Sequence, residues 1–214
     1  MLNRTIVVDI DGVFRDSVRT MVKVYNQNFG TKMTLDDVKE YDVADSFPLI
    51  KEKLGIEPTE FFFGRHYGEQ INRYSDTCDG ALDAIELLHE KGWYVHFVSY
   101  QPSYKNKLHT LMWLDDTRVK YDGLTFVNVK DKASFTKCYT IVDDNPKFLE
   151  GHCCDYVVLV DQPYNKDAVI YDDVRKCDIL NDYEEQRVYR VGSLYEFAQR
   201  IQRYDELNGN RVIR

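Results

Sequence analysis

The chain has 214 residues, 43% hydrophobic and 30% charged, with only 11 Gly and 5 Pro, which excludes a collagen-like, low-complexity or wholly disordered protein. Its formal net charge of −8 speaks against a polynucleotide partner, which needs a basic track, while leaving room for a small anion in a local pocket. At roughly 150 residues per domain, the length fits one large domain or a domain carrying a smaller insert, with chain enough for a core that needs neither disulfides nor a structural metal.

The first element is read between Arg4 and Ile10, where Thr5-Ile6-Val7-Val8 is a β-branched run without alternation, as expected of a central strand buried on both faces. Met1-Leu2-Asn3-Arg4 leads straight into that strand and carries no signal-peptide pattern. Val18, Met21, Val22, Tyr25 and Phe29 then predict an amphipathic helix stopped by Gly30, and Thr34 with Asp37 predicts a second helix opened by a capping box. Helical or loop material continues through Phe61-Phe62-Phe63 and Ile71, so residues 16–76 hold no core strand and exceed any ordinary connection. Ala81, Leu82, Ala84, Ile85 and Leu88 form one apolar stripe, with Asp79 as its expected cap and Gly92 as its stop. Strand signatures return at Trp93 to Val98, at Thr140-Ile141-Val142 and at Tyr156 to Val160. A last helix follows a Ser193/Glu196 capping box, with Leu194, Phe197, Ala198 and Ile201 on one face.

Strands alternating with helices predict an α/β fold, a doubly wound (Rossmann-like) parallel sheet core with a small inserted helical cap. The expected division is residues 1–15 and 77–206 as the core, 16–76 as the cap and 207–214 as a flexible tail. The five cysteines, Cys78, Cys138, Cys153, Cys154 and Cys177, are odd in number and show no CxxC spacing, so neither a disulfide framework nor a zinc ribbon is expected. Adjacent ligands such as His152-Cys153-Cys154 rarely converge on one ion. Reduced, buried thiols in a cytoplasmic protein are the expectation. No run approaches the ~20 apolar residues of a membrane span.

In open parallel sheets ligands sit beyond the carboxyl ends of strands. Those ends carry Asp9-Ile10-Asp11-Gly12-Val13, then Ser99, then Asp143-Asp144 with Lys132 upstream. Each piece alone has a bland reading: turn or cap chemistry for the acids, a local backbone bond for Ser99, and a solvated lysine for Lys132. Their appearance together and in this order carries the argument. Crowded carboxylates repel, and a hard divalent cation such as Mg²⁺, completed by phosphate oxygens and water, relieves that cost.

This order resembles the haloacid dehalogenase superfamily of phosphohydrolases over essentially the whole chain. Within it, Val8-Asp9-Ile10-Asp11-Gly12-Val13, the run from Asp79 to Ile85, Val98-Ser99, Asp131-Lys132 and Ile141 to Asp144 resemble the type C 5′(3′)-deoxyribonucleotidases, as does the late segment Asp161-Gln162-Pro163-Tyr164-Asn165. The resemblance implies Asp9 as nucleophile forming an aspartyl-phosphate, and Asp11 as general acid and then base. It implies Ser99 and Lys132 as phosphate-binding groups, Asp9, the Asp11 carbonyl and Asp144 as Mg²⁺ ligands, and Asp143 as a residue that orients Lys132 or a water. Asp11 favours phosphatase over dehalogenase chemistry, because a halide leaving group needs no proton.

Two departures stand out. Ser99-Tyr100-Gln101-Pro102 replaces the group's usual Thr-Ser-Pro, which sets Tyr100 near the phosphate, and Phe14-Arg15 follows the DGV segment, with Arg15 reaching substrate or facing solvent. Among aromatics, Tyr41, Phe47 and Phe61 to Phe63 of the cap, together with Tyr100, are the candidates for a substrate pocket, although small caps usually use their rings for packing. The leading expectation is a Mg²⁺-dependent phosphomonoesterase for (deoxy)ribonucleoside monophosphates. A phosphatase for another small phosphate ester or a nucleic-acid end is the alternative, and a non-catalytic binding protein on the same fold is the second. The expected partner is a small phosphate ester, with a homodimer compatible and neither polynucleotide nor membrane expected.

Overall fold

Six strands form the central sheet of the computed structural model, whose described residues are 4–40, 46–127, 138–149, 154–168, 171–172, 177–178 and 188–203. They are β1 (Thr5–Val8), β2 (Tyr94–Tyr100), β3 (Gly123–Val127), β4 (Thr140–Asp143), β5 (Tyr156–Val160) and, after a short antiparallel pair β6 (Tyr171–Asp172) and β7 (Cys177–Asp178), β8 (Val188–Val191). The order β3-β2-β1-β4-β5-β8 is parallel throughout. Parallel strands need crossovers, and the crossover helices cover the faces, so the central strands are apolar on both sides.

The alternation of side chains divides those apolar residues between two layers. Ile6, Val8, Val95, Phe97, Val142 and Val158 pack with α5 (Ala81–Glu90), α6 (Tyr104–Thr117) and α8 (Leu194–Arg200). Val7, Val98, Ile141, Val157 and Leu159 pack on the opposite side with Leu149 of the short helix α7 (Pro146–Leu149). Trp93 lies 1% exposed beside Tyr139, at 4.7 Å between ring centroids, and plugs the amino-terminal end of the sheet.

Between β1 and α5 the described residues add no strand to the sheet and build the α-helices α1 (Ser17–Phe29), α2 (Pro48–Leu54), α3 (Pro58–Phe63) and α4 (Gly68–Arg73). Asp16 caps α1 by accepting from the Arg19 N–H, and Gly30 ends it in the left-handed region at φ 65°, a conformation that costs a glycine little. The insert has its own apolar cluster, which includes Met21, Tyr25, Phe47, Ile50, Phe61, Phe62 and Ile71. The Thr34/Asp37 capping box is present but opens a single 3₁₀ turn, Leu35–Asp37, in place of the expected helix.

Three other local expectations are corrected. Asp79 does not cap α5; the N-cap is Gly80 at φ 71°, and Leu82 is 41% exposed instead of joining the buried stripe. Ser193 does cap α8, but Glu196 returns to the Gly192 N–H, one residue before the cap. Cys138 and Cys154 are joined in a disulfide, against the expectation of reduced thiols. The reason is register: Thr140 pairs with Tyr156, so the residues two positions before each strand stand side by side, with Cα atoms 4.7 Å apart. A sequence separation of 16 hides that adjacency. Cys153 and the tail 207–214 lie outside the described residues. Among the described residues no helix is long and apolar enough to cross a membrane.

Candidate active site

β1 and β4 are neighbours, yet the chain leaves them in opposite directions along the sheet, to β2 beyond β1 and to β5 beyond β4, and such a switch point opens a crevice past the carboxyl ends of the strands. Val8 pairs with Val142, and the Asp9 N–H donates to the Val142 carbonyl at 2.9 Å, so the acids that follow each strand face one another. One carboxylate oxygen from each of Asp9, Asp143 and Asp144 lies within 4.8 Å of the other two, and all three residues are buried. Three like charges this close are mutually repulsive in a poorly solvated place. The donor set is all oxygen and carries no thiolate or imidazole, which fits a hard cation of the Mg²⁺ type.

The second acid of the pair at the end of β4 is held by the segment that follows β5, the strand next to it. The Asp144 carboxylate accepts from the Tyr164 hydroxyl, and its main-chain carbonyl accepts from Asn165 Nδ2 at 2.8 Å. Asn165 also donates to the Val160 carbonyl at 2.8 Å, which pins this segment to the end of β5, and Arg190 on β8 bonds Asp161 and the Asn165 carbonyl behind it. Gln162 Nε2 reaches across to the Gly12 carbonyl at 2.8 Å. Gly12 sits at φ 79°, and a Cβ there would stand 2.1 Å from Asp144 Oδ2, so the turn after Asp11 and the position of Asp144 together demand glycine. Asp143 Oδ1 accepts from the Asn145 N–H at 2.9 Å, a turn that fixes the first of the two acids.

Asp11 sits apart from that triad, its side chain 28% exposed, in a bidentate pair with Arg15 at 2.9 Å. Gln101 Nε2 adds a third bond to the Asp11 carboxylate at 2.9 Å and also donates to Ser99 Oγ at 3.1 Å. Ser99 is inside β2, the residue before its end, and only 1% exposed.

Asp9, Asp11, Ser99 and Asp144 all line one cleft of about 460 Å³. Val18, Met21, Thr59 and Phe63 of the helical insert line the same cleft, as do Tyr100 and Phe148. The sequence-predicted residues are therefore brought together in part. Tyr100, 41% exposed, is on the wall. Phe47 is not: it is fully buried among Tyr25 and Phe62, at 5.1 and 4.8 Å between centroids, because its ring completes the insert's own core. Arg15 neither meets the cleft nor faces solvent, being 0% exposed. Lys132 and Tyr41 lie outside the described residues. Cys78 is near these acids, but burial, reinforced by Asp16, Asp144 and Asp11, pushes its thiol far above the usual range and leaves it a poor nucleophile.

Sequence reasoning missed the roles of Arg15, Gln101 and Tyr164. Arg15 and Gln101 stood out only as departures from a pattern, and Tyr164 only as part of a resembling segment: Gln101 and Tyr164 reach acids 90 and 20 positions away, and Arg15, although four residues from Asp11, is turned inward by Asn72 and Thr110, 57 and 95 positions away.

Residues 3–184 match the family described as 5′ nucleotidase, deoxy (pyrimidine), cytosolic type C protein. The chain belongs to this family. Among curated proteins, one from Halalkalibacterium halodurans, named "Putative nucleotidase BH1399", is 24% identical to this type C chain over 166 residues, which cover 74% of this chain and 80% of that protein. Among solved structures, the "putative beta-phosphoglucomutase" of Thermotoga maritima superposes with a TM-score of 0.54 at 15% identity, covering 92% of this chain and 97% of the other. The "putative HAD-hydrolase YfnB" of Bacillus subtilis, solved bound to magnesium, gives 0.51 at 14% identity, with 92% and 97% covered. These structures share the fold. Type C membership on that fold makes the chain a phosphohydrolase of the haloacid dehalogenase superfamily.

Proposed function

We propose that this type C chain is a Mg²⁺-dependent phosphomonoesterase that hydrolyses (deoxy)ribonucleoside monophosphates to nucleoside and phosphate through an aspartyl-phosphate. The observation that carries the reading is Asp9, buried at a strand end on the cleft floor beside Asp143 and Asp144, with the carboxylate of Asp11 in the same cleft. An ionised carboxylate needs orientation more than a base, and Asp9 is fixed by the β1–β4 ladder.

In the first step an Asp9 oxygen bonds to phosphorus as the ester P–O bond breaks, and Asp11 gives its proton to the departing alkoxide. In the second, Asp11, now a carboxylate, takes a proton from the water that attacks phosphorus; the Asp9–phosphorus bond breaks and inorganic phosphate leaves. Ser99 donates to a phosphoryl oxygen, and Lys132 neutralises one on the strength of the family resemblance. Asp9, the Asp11 carbonyl and Asp144 would hold Mg²⁺, with Asp143 behind them; bound there, the cation screens the carboxylates from each other and from the incoming phosphate. Residues 16–76 act as a cap that closes over the cleft and excludes water, with 1–15 and 77–206 as the catalytic core. A cytosolic location accords with the family's description.

A phosphate-release screen over nucleoside monophosphates and common sugar phosphates, with and without Mg²⁺, tests the reading. Nucleotides are expected to be turned over best, and chelation by EDTA to stop release. Faster release from a sugar phosphate, or release that persists in EDTA, would refute the substrate or the metal part respectively.

A further inference from the structure

Arg15 is the second largest fully buried side chain of the described residues, after Trp93, and it lies directly behind Asp11. A guanidinium carries five N–H donors in a rigid fork. Each one has an acceptor here. Nε and Nη2 address the two Asp11 carboxylate oxygens, both at 2.9 Å. Nη1 donates to the Asn72 carbonyl at 2.5 Å and to Thr110 Oγ1 at 3.1 Å, and Nη2 donates its second proton to Asn72 Oδ1 at 3.2 Å. The Trp113 ring lies 5.0 Å from the guanidinium carbon. Asn72 belongs to α4 of the helical insert, Thr110 and Trp113 to α6 of the sheet layer. Three parts of the fold therefore converge on one cation whose only charged partner among these contacts is Asp11.

Burying a charge is costly, and an apolar side chain of similar volume would usually stabilise a core as well or better. A fully satisfied fork does what an apolar residue cannot: it fixes the rotation of the carboxylate it grips. From this we infer that Arg15 is the positioning residue for Asp11, setting the direction of its carboxylate into the cleft and tying that direction to the helical insert through Asn72. The inference rests on the acid–base role proposed for Asp11. It goes beyond that role by assigning the control of Asp11 to a residue that touches no substrate. Placement errors of about 1 Å in a reacting group are worth on the order of 10²-fold in rate.

The test is a double-mutant cycle read as kcat/KM, which reports the first chemical step. Arg15→Lys keeps the charge and loses the fork. Against a nucleoside monophosphate it is expected to lower kcat/KM roughly 10²-fold, while p-nitrophenyl phosphate, whose leaving group needs little protonation, falls less than about fivefold. Placed in an Asp11→Asn background, the same Arg15→Lys change is expected to cost less than about twofold, because it has lost the group it acts through. Equal losses on both substrates, or equal losses with and without Asp11, would mean that Arg15 only holds the fold together, and would overturn the inference. Should Arg15→Lys fail to fold, Thr110→Val removes one anchor of the fork and leaves Arg15 in place. It is expected to reproduce the same substrate selectivity at smaller amplitude, and unchanged kcat/KM on the nucleotide would overturn the inference. An Asp11→Asn protein that itself shows no selectivity between the two substrates removes the acid role proposed for Asp11, a result distinguishable from failure of Arg15 alone.

Discussion

The carboxylate of Asp9 carries two opposed demands. In the proposed reaction it must be ionised to attack phosphorus, yet it sits within 4.8 Å of two other buried carboxylates. Stability and activity are therefore set against each other at this one residue, as like charges in a shared site would predict. Asp9→Asn is expected to reduce phosphate release below about 1% of the unmodified protein, since an amide is a poor nucleophile. The same change is expected to raise the unfolding temperature measured in EDTA, because one of three repelling charges is gone. Retention of release in the variant would rule out the covalent route, and a fall in unfolding temperature would show that Asp9 is instead held by favourable contacts. The sequence announced Asp9 and Asp11 because two acids at the end of a β-branched run are a local pattern. It did not announce Tyr164, which reaches Asp144 across 20 positions of sequence.

The helices differ in how openly their sequences declare them. α1 and α8 show an apolar stripe with one cap in the expected place, Gly30 ending α1 and Ser193 opening α8, although Glu196 returns one residue before the cap. α6 reverses the usual signal: Tyr104, Leu108 and Leu111 are 83%, 43% and 43% exposed, while Asn106, His109 and Thr110 are buried. Two of those polar residues face inward because they bond the insert or the Arg15 fork: Asn106 Nδ2 donates to the Phe63 carbonyl at 3.0 Å, and Thr110 Oγ1 accepts from Arg15 Nη1 at 3.1 Å. The edge strand β3 is half-buried along its whole length and shows no two-faced apolar run, which left it equally unmarked. The aromatics obey the same distinction between packing and display. Phe47→Ala is expected to destabilise the protein by about 3–5 kcal/mol, as for other buried Phe truncations, with KM unchanged. Tyr100→Ala is expected to leave stability alone and raise KM for a nucleotide roughly fivefold or more, the lower bound of base stacking on a ring. Urea unfolding and steady-state kinetics on the two variants separate the effects; a reversal would place the base against the insert's core and not against Tyr100.

Across the whole molecule, the cation proposed for the carboxylate cluster would couple its binding to folding, because the three acids come from two strands and converge only in the native sheet. A ligand that binds only the folded chain stabilises it by about 2.7 kcal/mol at one hundred times its dissociation constant, which for a chain of this size raises the unfolding temperature by roughly 5–10 °C. Thermal unfolding in saturating Mg²⁺ against EDTA is expected to show that rise, and Asp144→Asn to shrink it. No difference between the two conditions would remove the cation from these residues. The primary structure by itself determined the parallel sheet, the helical insert after β1, the acids at the strand ends and the type C resemblance, all of which rest on patterns within a few residues of one another. Tertiary structure decided the rest: that Cys138 meets Cys154, that Phe47 is packing, and that Arg15 turns inward to grip Asp11. Each of these depends on strand register or on a helix docking from far along the chain. Such partners are chosen by burial and charge in three dimensions, and a linear pattern carries no record of them.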